Sequence, residues 1–209
     1  MTTAPTTDLH RPEHFTRDAL GWVPWLEPPT ADELTPEQVE ALVEPGRVAS
    51  PYFRLLALAP EILESRTRAD LDMVLTGAPR PGQDGEGLPR PERELASTVA
   101  SRLNGCVFCA SVHSRLAAQL GKRPEEVDLL LRDGVAAADR LEPRWAAVVR
   151  AAAALSATPP TFDAENVAEL RAVGLSTEAV LDAVGSAAFF AWANRLMLSL
   201  GEPEVPAPR

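Results

Sequence analysis

Only two of the 209 residues are cysteine, and they stand three apart, at Cys106 and Cys109. So close a pair cannot staple distant parts of a secreted fold, and in a reducing compartment it points to redox or metal chemistry. One tyrosine and six phenylalanines are few against twenty prolines, and the Ala-rich stretches between the prolines favour helices over strands. No apolar run approaches bilayer length; the best, Ala187 to Ala193, is followed at once by Asn194 and Arg195. The first fifteen residues hold neither a basic nor an apolar block, so they do not read as a secretory signal. No Lys/Arg cluster offsets the net charge of −10, a balance that repels a phosphate backbone and argues against nucleic acid as a partner. These absences lead to an expected all-α, cytoplasmic protein with no membrane and no nucleic-acid partner.

The length suits one domain with a single substantial core. Residues 1–50 are expected to form an N-terminal arm and a short helix, residues 51–200 a helical domain, and residues 201–209 a disordered tail. In the arm, Trp22 and Trp25 would pin an extended chain by burial. Thr35-Pro36-Glu37-Gln38 is a helix start, with an N-cap hydroxyl and proline at the first helical position. Pro51 to Leu75 has helical apolar spacing interrupted at Pro60, and Gly77 to Pro89 is a loop by composition. Further helices are expected from Pro91 to Asn104, Cys106 to Leu120, Pro124 to Arg132, Pro143 to Ser156, Asp163 to Val173 and Ser176 to Leu200.

The second of these helices carries the chemistry. Cys106, Cys109 and His113 are three and then four residues apart, which at about 100° per residue puts them within an arc of roughly 60°. Cys106 is expected in the first turn, where free backbone N–H groups and the helix dipole favour a thiolate. Asn104 is placed to cap that helix. On the preceding helix Glu94 lies ten residues before the Asn104-Gly105 turn and His113 nine after it. At ~1.5 Å per residue both are roughly 14 to 15 Å from the turn, so an antiparallel pair sets them at one level. A carboxylate there would orient the imidazole beside a thiol, the arrangement of an activated nucleophile.

The order Glu94, eleven residues, Cys106-Val107-Phe108-Cys109, three residues, His113 resembles the Glu, CxxC and His pattern of the AhpD-like branch of the carboxymuconolactone decarboxylase family. The motif spans Glu94 to His113, and the helical pattern from about Pro51 to Leu200 is compatible with the family's core. The resemblance implies an all-α fold assembled as trimers or hexamers, with peroxide as substrate. It implies that Cys109 attacks the peroxide and becomes a sulfenic acid, that Cys106 resolves it into a disulfide, and that Glu94 and His113 relay the proton. It further implies a dithiol reductant, a lipoyl-bearing or thioredoxin-like protein, and no flavin, haem or metal cofactor. One departure is Phe108, where well-known members carry a second histidine before the attacking cysteine.

Three other readings stay open on the residues. The cysteines are good core fillers; the four side chains are also suitable zinc ligands; and a lactone-decarboxylase-like enzyme would leave the cysteines incidental. His10 and His14 read as surface residues of the arm. Trp145, Trp192, Phe189 and Phe190 read as core or interface, and Asn194-Arg195 as a capping or salt-bridging pair.

Overall fold

The computed structural model describes residues 12–76 and 87–204. Expectations for His10, for most of the Gly77 to Pro89 loop and for the last five residues lie outside this range. Nine α-helices among the described residues are joined by short 3-10 and π turns: α1 Pro36–Ala41, α2 Pro51–Leu56, α3 Pro60–Asp70, α4 Arg90–Leu103, α5 Val107–Gly121, α6 Pro124–Asp133, α7 Pro143–Ser156, α8 Ala164–Ala172 and α9 Thr177–Leu200. Their starts follow local chemistry. Proline occupies the first or second position of α1, α2, α3, α4, α6 and α7, where its missing N–H costs nothing. Thr35 and Asp163 close capping boxes at α1 and α8.

Helix α4 is the axis of the fold. Every residue from Glu92 to Ser101 is buried, which requires neighbours on all sides, and α5, α7 and α9 supply them. Leu95 and Val99 are fully enclosed, each contributing about 1.5–3 kcal/mol of burial. The buried hydroxyls are satisfied within the helix: Ser97, Thr98 and Ser101 donate to the carbonyls of Arg93, Glu94 and Ser97. A smaller cluster of Leu34, Ala41, Leu42, Ala57 and Leu63 ties α1 to α3.

The C-terminal segment departs from the expected disorder. Gly201–Glu204 is a strand, β2, paired antiparallel with β1, Gly21–Pro24, so that Gly21 faces Glu204 and Pro24 faces Gly201. Composition hid this, because three prolines and two glutamates in residues 201–209 suggest no strand, while pairing with a partner strand needs only an extended backbone. Trp25 also departs from expectation: it is 59% exposed. The arm is held instead by Trp22 edge-on to Tyr52, by a two-pronged Arg17–Asp128 ion pair at 2.6 and 2.8 Å, and by Phe15 beneath the Arg102 guanidinium. Trp22 covers Gly201 so closely that a Cβ there would collide with its indole and with the Val23 carbonyl. Gly201→Ala is therefore expected to cost about 1–3 kcal/mol through overpacking, read as a lower urea midpoint with an unchanged m-value.

Candidate active site

The α4–α5 connection fixes both cysteines. Gly105 has φ +76°, the left-handed region that glycine enters without strain. Its N–H donates to the Arg102 carbonyl, and the Cys106 N–H to the Ser101 carbonyl, the paired bonds of a Schellman helix end. Cys106 in turn accepts, through its carbonyl, the Ala110 N–H that opens α5. Cys106 is thus the N-cap residue of α5, one position before the first turn in which it was expected. Asn104 does not cap α5: it ends α4, and its side-chain amide donates to Asn194 Oδ1 at 3.1 Å. Cys109 lies within the first turn of α5, and His113 one turn beyond.

Glu94 and His113 meet across the helix pair at the level that counting from the turn gave. His113 Nδ1 and Glu94 Oε2 are 2.6 Å apart, and the Glu94 side chain is fully enclosed. Arg90 Nε donates to the other carboxylate oxygen at 3.1 Å. A carboxylate can only accept, so Nδ1 carries the hydrogen of this bond and Nε2 is the ring nitrogen left for proton transfer. The Phe190 ring stands edge-on to the imidazole, centroids 4.0 Å apart, which fixes its plane.

Both thiols are free and buried, and they share charge unequally. The Cys109 thiol, followed by the Cys109 backbone N–H and the Asn194 side chain, holds Cys106 below the ordinary thiol range against the opposing effect of burial. Cys109 is pushed well above it, first by donating to Cys106 and then by burial and by the neighbouring charge. Of the two, Cys106 is therefore the thiol that ionises more readily and Cys109 the one that holds its proton more firmly. The helix-start expectation gave the direction for Cys106, but the largest cause is its neighbouring thiol.

Cys109 and His113 line one cavity of about 380 Å³, with Phe108, Phe190 and Met197 on its apolar side and Arg47, Tyr52 and Arg66 on its polar side. Phe108 thus faces the cavity at the position where the resembled family carries a second histidine. Neither Trp22 nor Trp25 lines it; Trp22 backs Tyr52 from behind. Asn194 acquires a role beyond capping: fully buried, it joins Ser101, Asn104 and the cysteine pair. Its signal in the sequence was one amide inside a long apolar helix. Arg47, Tyr52 and Arg66 had no such signal, since ordinary helix surfaces carry the same residues. His14 lines a separate surface hollow that shares no residue with this cavity. Among the described residues, no group of three or more His, Cys, Asp or Glu is arranged to hold a metal ion, and no helix is long and apolar enough to cross a membrane.

Comparison with known proteins finds relatives in sequence and in fold. The alkyl hydroperoxide reductase AhpD of Methylocella silvestris is 28% identical over 105 residues, which cover 49% of this chain and about half (55%) of that relative's length. A peroxidase-related protein with an alkylhydroperoxidase AhpD core from Ralstonia eutropha superposes with a TM-score of 0.68 at 21% identity, over 85% of this chain and 90% of its own. A peroxidase-related protein from Silicibacter gives 0.68 at 22% identity, over 87% and 92%. The model of the carboxymuconolactone decarboxylase family matches residues 82–169. That stretch, less than half of the chain, contains Glu94, Cys106, Cys109 and His113, and the chain has an AhpD-like helical fold.

Proposed function

We propose that this protein is a thiol-dependent peroxidase that reduces hydroperoxides at the Cys106/Cys109 pair. The observation that carries the reading is a cysteine and a carboxylate-held histidine one helical turn apart on the wall of a single cavity. As Cys109 attacks, its proton passes to the Cys106 thiolate. The Cys109 sulfur bonds to the terminal peroxide oxygen, the O–O bond breaks, and the leaving alkoxide takes a proton from His113 to become an alcohol. Glu94 stabilises the imidazolium that gives this proton and is a positioning residue. Cys109 is left as a sulfenic acid. Cys106 then attacks the sulfenic sulfur, and its proton departs with the hydroxyl as water, leaving a disulfide. A dithiol, such as a lipoyl-bearing or thioredoxin-like protein, returns two electrons and two protons through a mixed disulfide.

The pair sits at an N-cap and in the first turn of one helix, so disulfide formation displaces only this helix start. The reading includes a homo-oligomer, trimeric or hexameric, in the cytoplasm. One equivalent of hydroperoxide added to the reduced protein is expected to yield an intramolecular Cys106–Cys109 disulfide, a loss of two mass units confined to one peptide. Both thiols surviving a tenfold peroxide excess would refute the reading.

A further inference from the structure

The polar wall of the Cys109 cavity is more heavily charged than peroxide reduction requires. Arg47, from the turn at Pro45–Ala49, and Arg66, from α3, share one carboxylate: Asp70 Oδ2 lies 2.8 Å from Arg47 Nη2 and 3.6 Å from Arg66 Nη1. Two guanidiniums against one carboxylate leave one positive charge in excess. Arg66 is only 6% exposed. Among the described residues its Nε and Nη1, the Arg47 Nη1 and the Tyr52 hydroxyl have no hydrogen-bond partner. Buried charged donors without acceptors are costly, and a folded protein retains them where something else completes them.

Aromatic rings hold these donors in place without using their N–H groups. Arg47 lies 4.5 Å over Phe53, and Arg66 is flanked by Phe53, Tyr52 and Phe189 at 5.3, 5.7 and 5.2 Å. Burial pushes the Tyr52 phenol up to about 12, with the Arg66 charge opposing, so it is a hydrogen-bond donor at neutral pH. Cys106, the more readily ionised thiol, does not line the cavity and Arg66 is not among the groups that lower it; Cys109 does not absorb the excess charge either. Arg66 favours a Cys109 thiolate, but this is the weakest influence on that group, which stays protonated.

We propose that this wall binds a carboxylate, so that the cavity selects small organic acids with an apolar body lying against Phe108, Phe190 and Met197. A planar, singly charged carboxylate matches a guanidinium fork and one excess positive charge, and the cavity volume is that of a small-molecule site. Resting on the peroxidase reading, the hydroperoxides reduced here are carboxylated ones, held by the acid end while the peroxide end reaches Cys109. The wall comes from residues 47 to 70, outside the family match at 82–169 that contains the reacting groups.

Titration calorimetry of the reduced, full-length protein with sodium hexanoate, hexanamide and sodium sulfate tests the site without any turnover. Hexanoate is expected to bind at least about tenfold more tightly than hexanamide. Arg66→Gln is expected to remove that preference and Tyr52→Phe to reduce it, with hexanamide binding unchanged in both. Equal binding of acid and amide, no binding of hexanoate, or tighter binding of sulfate overturns the proposal. Should Arg66→Gln not fold, the acid–amide comparison on the unaltered protein decides alone. Parallel assays with neutral tert-butyl hydroperoxide and with a carboxylated alkyl hydroperoxide separate the two readings: turnover without hexanoate binding sinks only the carboxylate site, and hexanoate binding with neither hydroperoxide reduced sinks only the peroxidase.

Discussion

Cys109→Ser is expected to abolish hydroperoxide turnover, by at least about a thousandfold, because it removes the one thiol among the described residues that line the cavity. Serine keeps a hydroxyl donor beside Cys106, so the charge and packing of the pair survive and the loss reports on the nucleophile alone. Cys106→Ser is expected to behave differently. It still consumes a single equivalent of hydroperoxide, slowly, and stops at a Cys109 sulfenic acid that a dimedone probe captures. The slowness follows from the loss of the Cys106 thiolate, the group positioned to take the Cys109 proton. Cys109→Ala should in addition return the Cys106 thiol toward its ordinary range, since its largest stabilising partner is gone; ultraviolet thiolate absorbance against pH reads this directly. The opposite pattern, single turnover in Cys109→Ser and none in Cys106→Ser, would reassign the attack to Cys106.

Glu94→Gln is the second large effect. The carboxylate is wholly enclosed and bonds both His113 and Arg90, so an isosteric amide loses charge while keeping volume. Turnover is expected to fall by roughly a hundredfold to ten-thousandfold, the range that positioned proton transfer supplies. Because Glu94 does not line the cavity, the loss should appear in kcat with KM little changed. Stability should drop by about 1.5–3 kcal/mol, the contribution of a hydrogen bond to a charged group. A purely structural role predicts the stability loss alone, with kcat retained in the protein that remains folded. Glu94→Asp, which keeps the charge, should recover part of kcat.

The meeting of Glu94 with His113, on the helix that also carries Cys109, was legible in the sequence because these residues lie on two consecutive helices joined by a short turn. Within such a pair, residue counting is distance measurement: ten residues back and nine forward must meet. Capping chemistry likewise gave helix α7 at Pro143–Ser156 and placed Asp163 and Ser176 at helix starts. Counting failed by one position at Cys106, because whether a residue caps a helix or begins it depends on backbone dihedrals at the turn, here φ −85° and ψ 90°. It also missed Asn194, which reaches the cysteines from α9, some ninety residues along the chain from Ser101 and Asn104.

The sequence by itself determined that this is a helical protein with a thiol pair, an imidazole and a carboxylate on one hairpin, since local periodicity and short-range spacing carry that information. Only the tertiary structure decided which sulfur ionises more readily, that Arg47, Tyr52 and Arg66 line one cavity with Cys109 and Phe190, and that the two ends of the described chain join as a two-stranded ribbon. Those outcomes depend on contacts between segments far apart in the chain, where burial and the proximity of charges arise from packing and leave no periodic trace along the residues.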